Sequence, residues 1–252
     1  MDAINPYPDL TRLREQHSLF VRTAAHALRT PLQSLQGFAE LLEPGLSPAL
    51  VEHYVSFIKR DATYLAGVVD DLCLRNELAQ GPLVLFPTRV DVAQILHELA
   101  RTFEARFPDS LVALEYTEGI PAVYADEERL FHLLFTLLRN AERCRPDRSQ
   151  FGGLEVRTHF ESGLRQVVFA VEDAGLGIPA EYREAIFDPF AELPTELGRP
   201  RLGIGLGLYV AREVTRQMGG DLWLTPRSNG VGQYSNLFVL GVPMFDEQVS
   251  HA

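Results

Sequence analysis

The sequence predicts an α+β fold: an N-terminal helical hairpin forming a dimeric four-helix bundle, followed by an α/β sandwich with a mixed sheet. Three observations predict it. Apolar residues recur at steps of 4 and 3 through two segments before residue 80, the period of helices that share a packed seam. Gly81-Pro82 then interrupts the pattern, as a domain linker does. Beyond it, short β-branched runs alternate with amphipathic helical ones, the mark of a layered α/β domain.

The first seam runs through Val21, Ala25, Leu28, Leu32, Leu35, Ala39 and Leu42, the second through Val51, Val55, Ile58, Ala62, Leu65, Val69 and Leu72. Glu43-Pro44-Gly45-Leu46-Ser47-Pro48 ends one helix and starts the next, with Pro48 near the first helical position. One hairpin buries one seam only, so a second copy is expected to complete four helices. The predicted domains are residues 1–80 and 83–245. In the second, strands are expected at Leu83–Phe86, Val112–Thr117, Leu154–Phe160, Val167–Glu172, Asp221–Thr225 and Leu237–Leu240. Helices are expected at Val92–Phe107, Glu127–Arg143 and Leu206–Met218.

With 252 residues and 46% apolar composition, the chain can bury a sizeable core. Its formal charge of −11 argues against holding nucleic acid or an anionic membrane by bulk charge. No segment has the ~18 consecutive apolar residues of a membrane span, and the N-terminus lacks the basic and apolar regions of a signal peptide. Cys73 and Cys144 form no C-x-x-C pair. They read as packing residues in a reducing cytosol, so a cytoplasmic location is expected.

Several constellations carry chemistry. His26 lies beside the first seam and faces solvent, with Thr30 one turn on along the same face. An exposed imidazole there is either a solvated side chain or a nucleophile for phosphorus. On Glu127–Arg143, Leu130, Leu133, Leu134, Leu137 and Leu138 form a buried face, and Thr136, Asn140 and Arg143 share another. That second face suits a hydrated Mg²⁺ and phosphate oxygens, or is the polar side of an ordinary amphipathic helix. Asp173-Ala174-Gly175-Leu176-Gly177 follows an apolar strand. Its carboxylate can accept from an adenine amino group, while Gly175 and Gly177 let a flat ligand approach the backbone.

Gly203-Ile204-Gly205-Leu206-Gly207-Leu208 opens a helix, and the free N–H groups of such a start attract phosphate. Between these motifs lie Phe187-Asp188-Pro189-Phe190 and a Pro- and Gly-bearing stretch, Ala191 to Leu202, with the cations Arg199 and Arg201. That stretch suits a lid over phosphates.

In this order the residues resemble the catalytic core of a two-component sensor histidine kinase. His26 to Pro31 looks like the phosphoacceptor box and Asn140-Ala141 like the N box. Asp173 to Gly177 and Gly203 to Leu208 look like the two glycine boxes, with Phe187 to Phe190 as the F box between them. Gly230-Val231-Gly232 is similar to a late glycine pair. The resemblance spans roughly residues 9–243. It implies a dimerisation and histidine-phosphotransfer hairpin joined to a Bergerat-fold domain binding ATP and Mg²⁺.

It makes His26 the phosphoacceptor, Asn140 the Mg²⁺ ligand, Arg143 a phosphate contact and Asp173 the adenine reader. Thr30 takes the place associated with dephosphorylating a partner. The implied partners are a second copy of the chain, the receiver domain of a response regulator, and a sensory protein on a separate chain, since no sensor or receiver fits this length.

The chain departs from the family's pattern at four positions. Ala27 stands where an acidic general base is usual, and Thr136 replaces the first asparagine of the N box. Arg143 replaces a common lysine, and Cys144 the following aromatic. The expected function is an ATP-dependent protein-histidine kinase that passes phosphate from His26 to a regulator aspartate, with phosphatase activity toward that regulator. The alternatives are a histidine-kinase-like scaffold or phosphotransfer protein without autokinase activity, and an ATPase of the same fold.

Overall fold

A computed structural model of the chain describes residues 8–144, 154–173, 177–191, 193, 204–228 and 234–246. The chain divides into two compact units, residues 1–68 and 69–252.

The first unit contains α1 (Pro8–Glu40) and most of α2 (Pro48–Gln80). Gly45, at φ +98°, makes the turn between them in a conformation that glycine adopts freely. Ser47 starts α2, its hydroxyl accepting from Leu50 N at 3.4 Å, the usual work of a serine N-cap. The aromatic rings of Phe38 and Phe57 stack at 4.6 Å and join the two helices.

The buried face of α1 differs by one residue from the expected seam. Ala24 and Pro31 are buried, whereas Ala25 is exposed and Leu28 and Leu35 are half-buried. Val21 and Leu32 are 50% and 48% exposed. The two helices of one hairpin therefore meet along a face beside the seven-position seam, and part of that seam stays open. A 3.5-residue repeat marks an apolar stripe; it does not say which edge of the stripe meets which neighbour.

In the second unit a five-stranded mixed sheet has the order β2-β4-β5-β7-β6. Its strands are β2 (Val112–Tyr116), β4 (Leu154–Glu161), β5 (Gln166–Asp173), β6 (Asp221–Ser228) and β7 (Tyr234–Pro243). β2 pairs parallel with β4 and the remaining pairs are antiparallel. Three helices pack against the sheet: α3 (Val92–Arg106), α4 (Glu127–Cys144) and α5 (Gly207–Gln217). Leu96, Leu99, Phe103, Leu130, Leu134 and Leu138 from the helices meet Phe169, Val171 and Leu240 from the sheet. Asp91 caps α3, its carboxylate accepting from Gln94 N at 2.9 Å.

The strand expected at Leu83–Phe86 does not form. That segment has no regular structure and pairs with no strand. Leu83 N donates to Gln217 Oε1 at 2.7 Å and Phe86 N to Asp126 Oδ2 at 3.0 Å, so side chains satisfy two of its amides in place of a ladder. Pairing begins just after it, where β1 (Thr88–Val90) runs antiparallel to β3 (Val123–Ala125). Among the described residues no helix is long and apolar enough to cross a membrane.

Candidate functional site

His26 and Thr30 are both exposed on α1. Thr30 Oγ1 lies 3.5 Å from the carbonyl of His26, so the hydroxyl and the imidazole sit one turn apart on the same face. Pro31 follows within the unbroken helix. Because proline has no N–H, the carbonyl of Ala27 lacks its usual helical donor.

In the second unit the polar face of α4 is graded. Thr136 is buried, with its hydroxyl lacking a hydrogen-bond partner, while Asn140 and Arg143 are half-buried. The five leucines expected on the buried face, Leu130, Leu133, Leu134, Leu137 and Leu138, are all buried. This packing fixes the direction of the polar face.

Asp173 closes β5 and is buried. Its carboxylate accepts from Asn236 Nδ2 at 2.9 and 3.0 Å and from Asn236 N at 3.1 Å. The amide oxygen of Asn236 in turn accepts from Ile178 N at 2.8 Å. One asparagine on β7 therefore ties the strand-end carboxylate to the segment just beyond Gly177. Nothing in the sequence marked Asn236, since a single polar residue in an apolar strand carries no local signal. Its β7 register opposite Asp173 shows the link.

The F box and the second glycine box are joined through backbone. Phe190 N donates to Gly205 O at 2.9 Å. Gly205 has φ +65°, and a Cβ there would lie 2.5 Å from Ala191 O. Leu206 precedes α5 without a side-chain cap, which leaves the N–H groups of the helix start for another acceptor. Gly207 begins α5 and the half-buried Leu208 follows it.

Phe187 is buried, with the Arg212 guanidinium 4.7 Å over its ring. Arg212 Nη1 donates to Glu184 at 2.8 Å and Nε to Asp221 at 3.3 Å. Burial works against the Arg212 charge, but the hydrogen bond and charge of Glu184, with Asp221 beyond, outweigh it and hold the guanidinium above its ordinary value.

Asp173, Gly177, Asn140, Arg143, Gly205, Leu206, Gly207 and Leu208 all belong to the second unit, and His26 and Thr30 to the first. Gly175, Arg199, Arg201, Gly203 and the late pair Gly230 and Gly232 lie outside the described residues, as does most of the expected lid. Cys73 and Cys144 are not joined in a disulfide. Cys73 is exposed rather than packed, because it lies on the outer side of α2, away from the buried Leu74.

Among the described residues no cluster of three His, Cys, Asp or Glu could hold a metal. The donor set instead suits Mg²⁺, which keeps most of its waters and binds through one protein oxygen plus substrate phosphates. The amide of Asn140 fits that single role.

Residues 16–81 match the His Kinase A (phospho-acceptor) domain, and residues 125–244 match the family described as histidine kinase-, DNA gyrase B-, and HSP90-like ATPase. The chain therefore carries both a phospho-acceptor domain and a histidine-kinase-type ATPase domain, the two parts of a sensor histidine kinase core.

It is 29% identical over 247 residues to the aerobic respiration control sensor protein ArcB of Escherichia coli, covering 96% of this chain and 31% of ArcB. It is 26% identical to the signal transduction histidine-protein kinase ArlS of Staphylococcus haemolyticus, covering 89% of this chain and 48% of that one. The chain thus spans less than half the length of these relatives. Among solved structures, histidine kinase ThkA in complex with the response regulator TrrA aligns at a TM-score of 0.60 and 22% identity. That alignment covers 97% of this chain and 68% of ThkA. Acinetobacter baumannii AdeS aligns at 0.57 and 22% identity over 88% of this chain and 98% of that one.

Proposed function

We propose that this chain is an ATP-dependent protein-histidine kinase that phosphorylates His26 and passes the phosphoryl group to an aspartate of a response regulator. One observation carries the reading: an exposed imidazole in a phospho-acceptor domain shares its chain with a histidine-kinase-type ATPase domain. A neutral His26 nitrogen attacks the γ-phosphorus in line as the bond to the bridging oxygen breaks. ADP departs with that oxygen and the imidazole releases its remaining ring proton. Ala27 offers no group to receive that proton, so water or another group takes it.

The resemblance supports the further roles. Asp173 reads the adenine amino group, with Asn236 orienting the carboxylate. Gly177 lets the base lie against the backbone. The start of α5 receives phosphate at Gly205, Leu206, Gly207 and Leu208, and Arg143 supplies positive charge beside it. Mg²⁺, held by Asn140, would neutralise phosphate charge. Catalysis then rests on positioning more than on covalent chemistry by the protein.

The phosphotransfer hairpin is assigned to residues 1–80 and the ATP-binding domain to 83–245. The open part of the hairpin seam, Val21 and Leu32, supports a homodimer. A complex with a response regulator is what the ThkA structure contains, and it supports a receiver domain as the partner here. Thr30, exposed beside His26, would place a water for dephosphorylating that partner in the cytoplasm.

A second reading, a scaffold without autokinase activity, draws on Ala27 and on the buried hydroxyl of Thr136. Incubation with γ-labelled ATP separates them. A kinase gives acid-labile, base-stable label that disappears in His26→Gln, whereas a scaffold gives none. Release of phosphate without labelled protein would instead identify an ATPase.

A further inference from the structure

Asp71 lies on the part of α2 that belongs to the second unit and is 3% exposed. Its Oδ2 accepts from Arg139 Nη2 at 2.8 Å. Arg139 is itself 4% exposed and immediately precedes Asn140 on α4. The other carboxylate oxygen lies 3.6 Å from His132 Nε2. Neither of those two atoms makes a hydrogen bond, and neither does the hydroxyl of Thr136 one turn along. Leu74 is buried and Glu77 pairs with Arg129 at 3.1 Å, so this stretch of α2 lies along α4.

The start of α5 closes the cluster. A Cβ on Gly207 would lie 3.2 Å from Asp71 Oδ2, 3.2 Å from Thr136 Cγ2 and 3.7 Å from Arg139 Nη2. A single carboxylate therefore touches the polar face of α4 and the uncapped end of α5 together. Stability does not account for it. A buried ion pair is often no better than apolar residues of equal volume, and unsatisfied buried polar atoms cost free energy. Buried groups left unsatisfied in this way call for a reason other than stability.

We propose that Asp71 is a positioning residue for the nucleotide site. Through Arg139 it sets the rotation of α4 about its own axis, so that Asn140 and the free N–H groups of α5 face one ligand. It never touches that ligand itself. The proposal rests on reading this site as nucleotide-binding. It also extends the functional ATP-binding unit back into α2, beyond the Gly81-Pro82 break.

The test uses the full chain with Mg-ADP in calorimetry and ATP in autophosphorylation kinetics. Asp71→Asn should weaken Mg-ADP binding and raise the KM for ATP about tenfold, with kcat at saturating ATP changed less than about threefold. The pair Asp71→Leu/Arg139→Met leaves no buried charge unpaired. It should melt within about 3 °C of the native chain yet keep the raised KM.

A native KM in the double variant would overturn the proposal, as would affinity losses that merely track melting temperature across the variants. A fall in kcat with unchanged KM would overturn it as well. If the native chain failed to bind Mg-ADP, the nucleotide reading itself would be lost. Equal binding by native chain and variants would remove only the role given to Asp71.

Discussion

Replacing Gly205 by alanine tests whether the F box and the second glycine box form one backbone unit. The added Cβ would lie 2.5 Å from Ala191 O, 2.7 Å from Ala191 N and 2.8 Å from Phe190 C. All three are backbone atoms, so no side chain can rotate away. The residue would also have to hold φ +65°, which costs a non-glycine residue about 1–2 kcal/mol. Relief of the clash parts the two segments and strains the hydrogen bond from Phe190 N to Gly205 O, a loss of about 1 kcal/mol. Overpacking adds about 1–3 kcal/mol.

Allowing for overlap between these costs, about 3 kcal/mol is expected. For a chain of this size that lowers the melting temperature by about 6–12 °C. Gly207→Ala provides the contrast. Its Cβ would meet Asp71 Oδ2 and Thr136 Cγ2 at 3.2 Å, side-chain atoms able to yield slightly, and alanine favours the helix by about 1 kcal/mol over glycine. Its net effect should stay within about 1 kcal/mol. Differential scanning calorimetry on both variants decides the matter. A Gly205→Ala chain melting within a degree of the native one would refute the argument.

Asp173→Asn should weaken ATP binding by about 1–3 kcal/mol in calorimetry, because its amide would turn a donor toward Asn236 or toward the base; unchanged affinity would remove Asp173 from the site. Leu35→Asp or Ile58→Asp places a carboxylate in the half-buried helical faces and should turn a dimer into a monomer in sedimentation, whereas a native chain already monomeric at micromolar concentration would end the four-helix reading. Ala27→Glu should raise the autophosphorylation rate, with the ~10²–10⁴ of general-base assistance as its ceiling; equal initial rates would show that no base is missing. Thr30→Ala should leave that rate within about twofold while slowing regulator dephosphorylation by about tenfold or more, and an unaltered phosphatase assay would rule Thr30 out.

The long elements were legible because their periods are long. Thirty-three residues of α1 and of α2 repeat their apolar pattern many times, and the leucines of α4 make a face that admits one orientation. Three-residue strands such as β1 and β3 are too short to show a period of two, and the apolar letters of Leu83–Phe86 outweighed them. Phe86 is 74% exposed, so hydrophobicity there did not mean burial.

The motifs were visible as runs of neighbouring letters. Their supports, Asn236 behind Asp173 and Arg212 behind Phe187, sit on other elements and are brought close only by strand register and helix packing. Asp71 is the sharpest case. Beside Asp70 it reads as the solvated side of a helix, and only tertiary contact with α4 buries it.

The sheet's one parallel pair bears on the order in which the second unit assembles. β4 and β5 meet across a short turn at Ser162–Arg165, and β6 and β7 are likewise neighbours in the chain. These pairings close small loops. β2 reaches β4 only after β3 and α4 have been laid down between them, and β7 reaches β5 across a longer stretch of chain that includes α5, so both dockings carry more loop-closure entropy than the two local pairings. The β4–β5 and β6–β7 pairs would therefore form before either of those dockings. α4, which bears Asn140, lies within the loop that the β2–β4 pairing closes. Pulsed hydrogen exchange would record this as late protection in Val112–Tyr116. The edge strand and the helix of the nucleotide site thus share one loop, so shortening that loop would speed the docking of both.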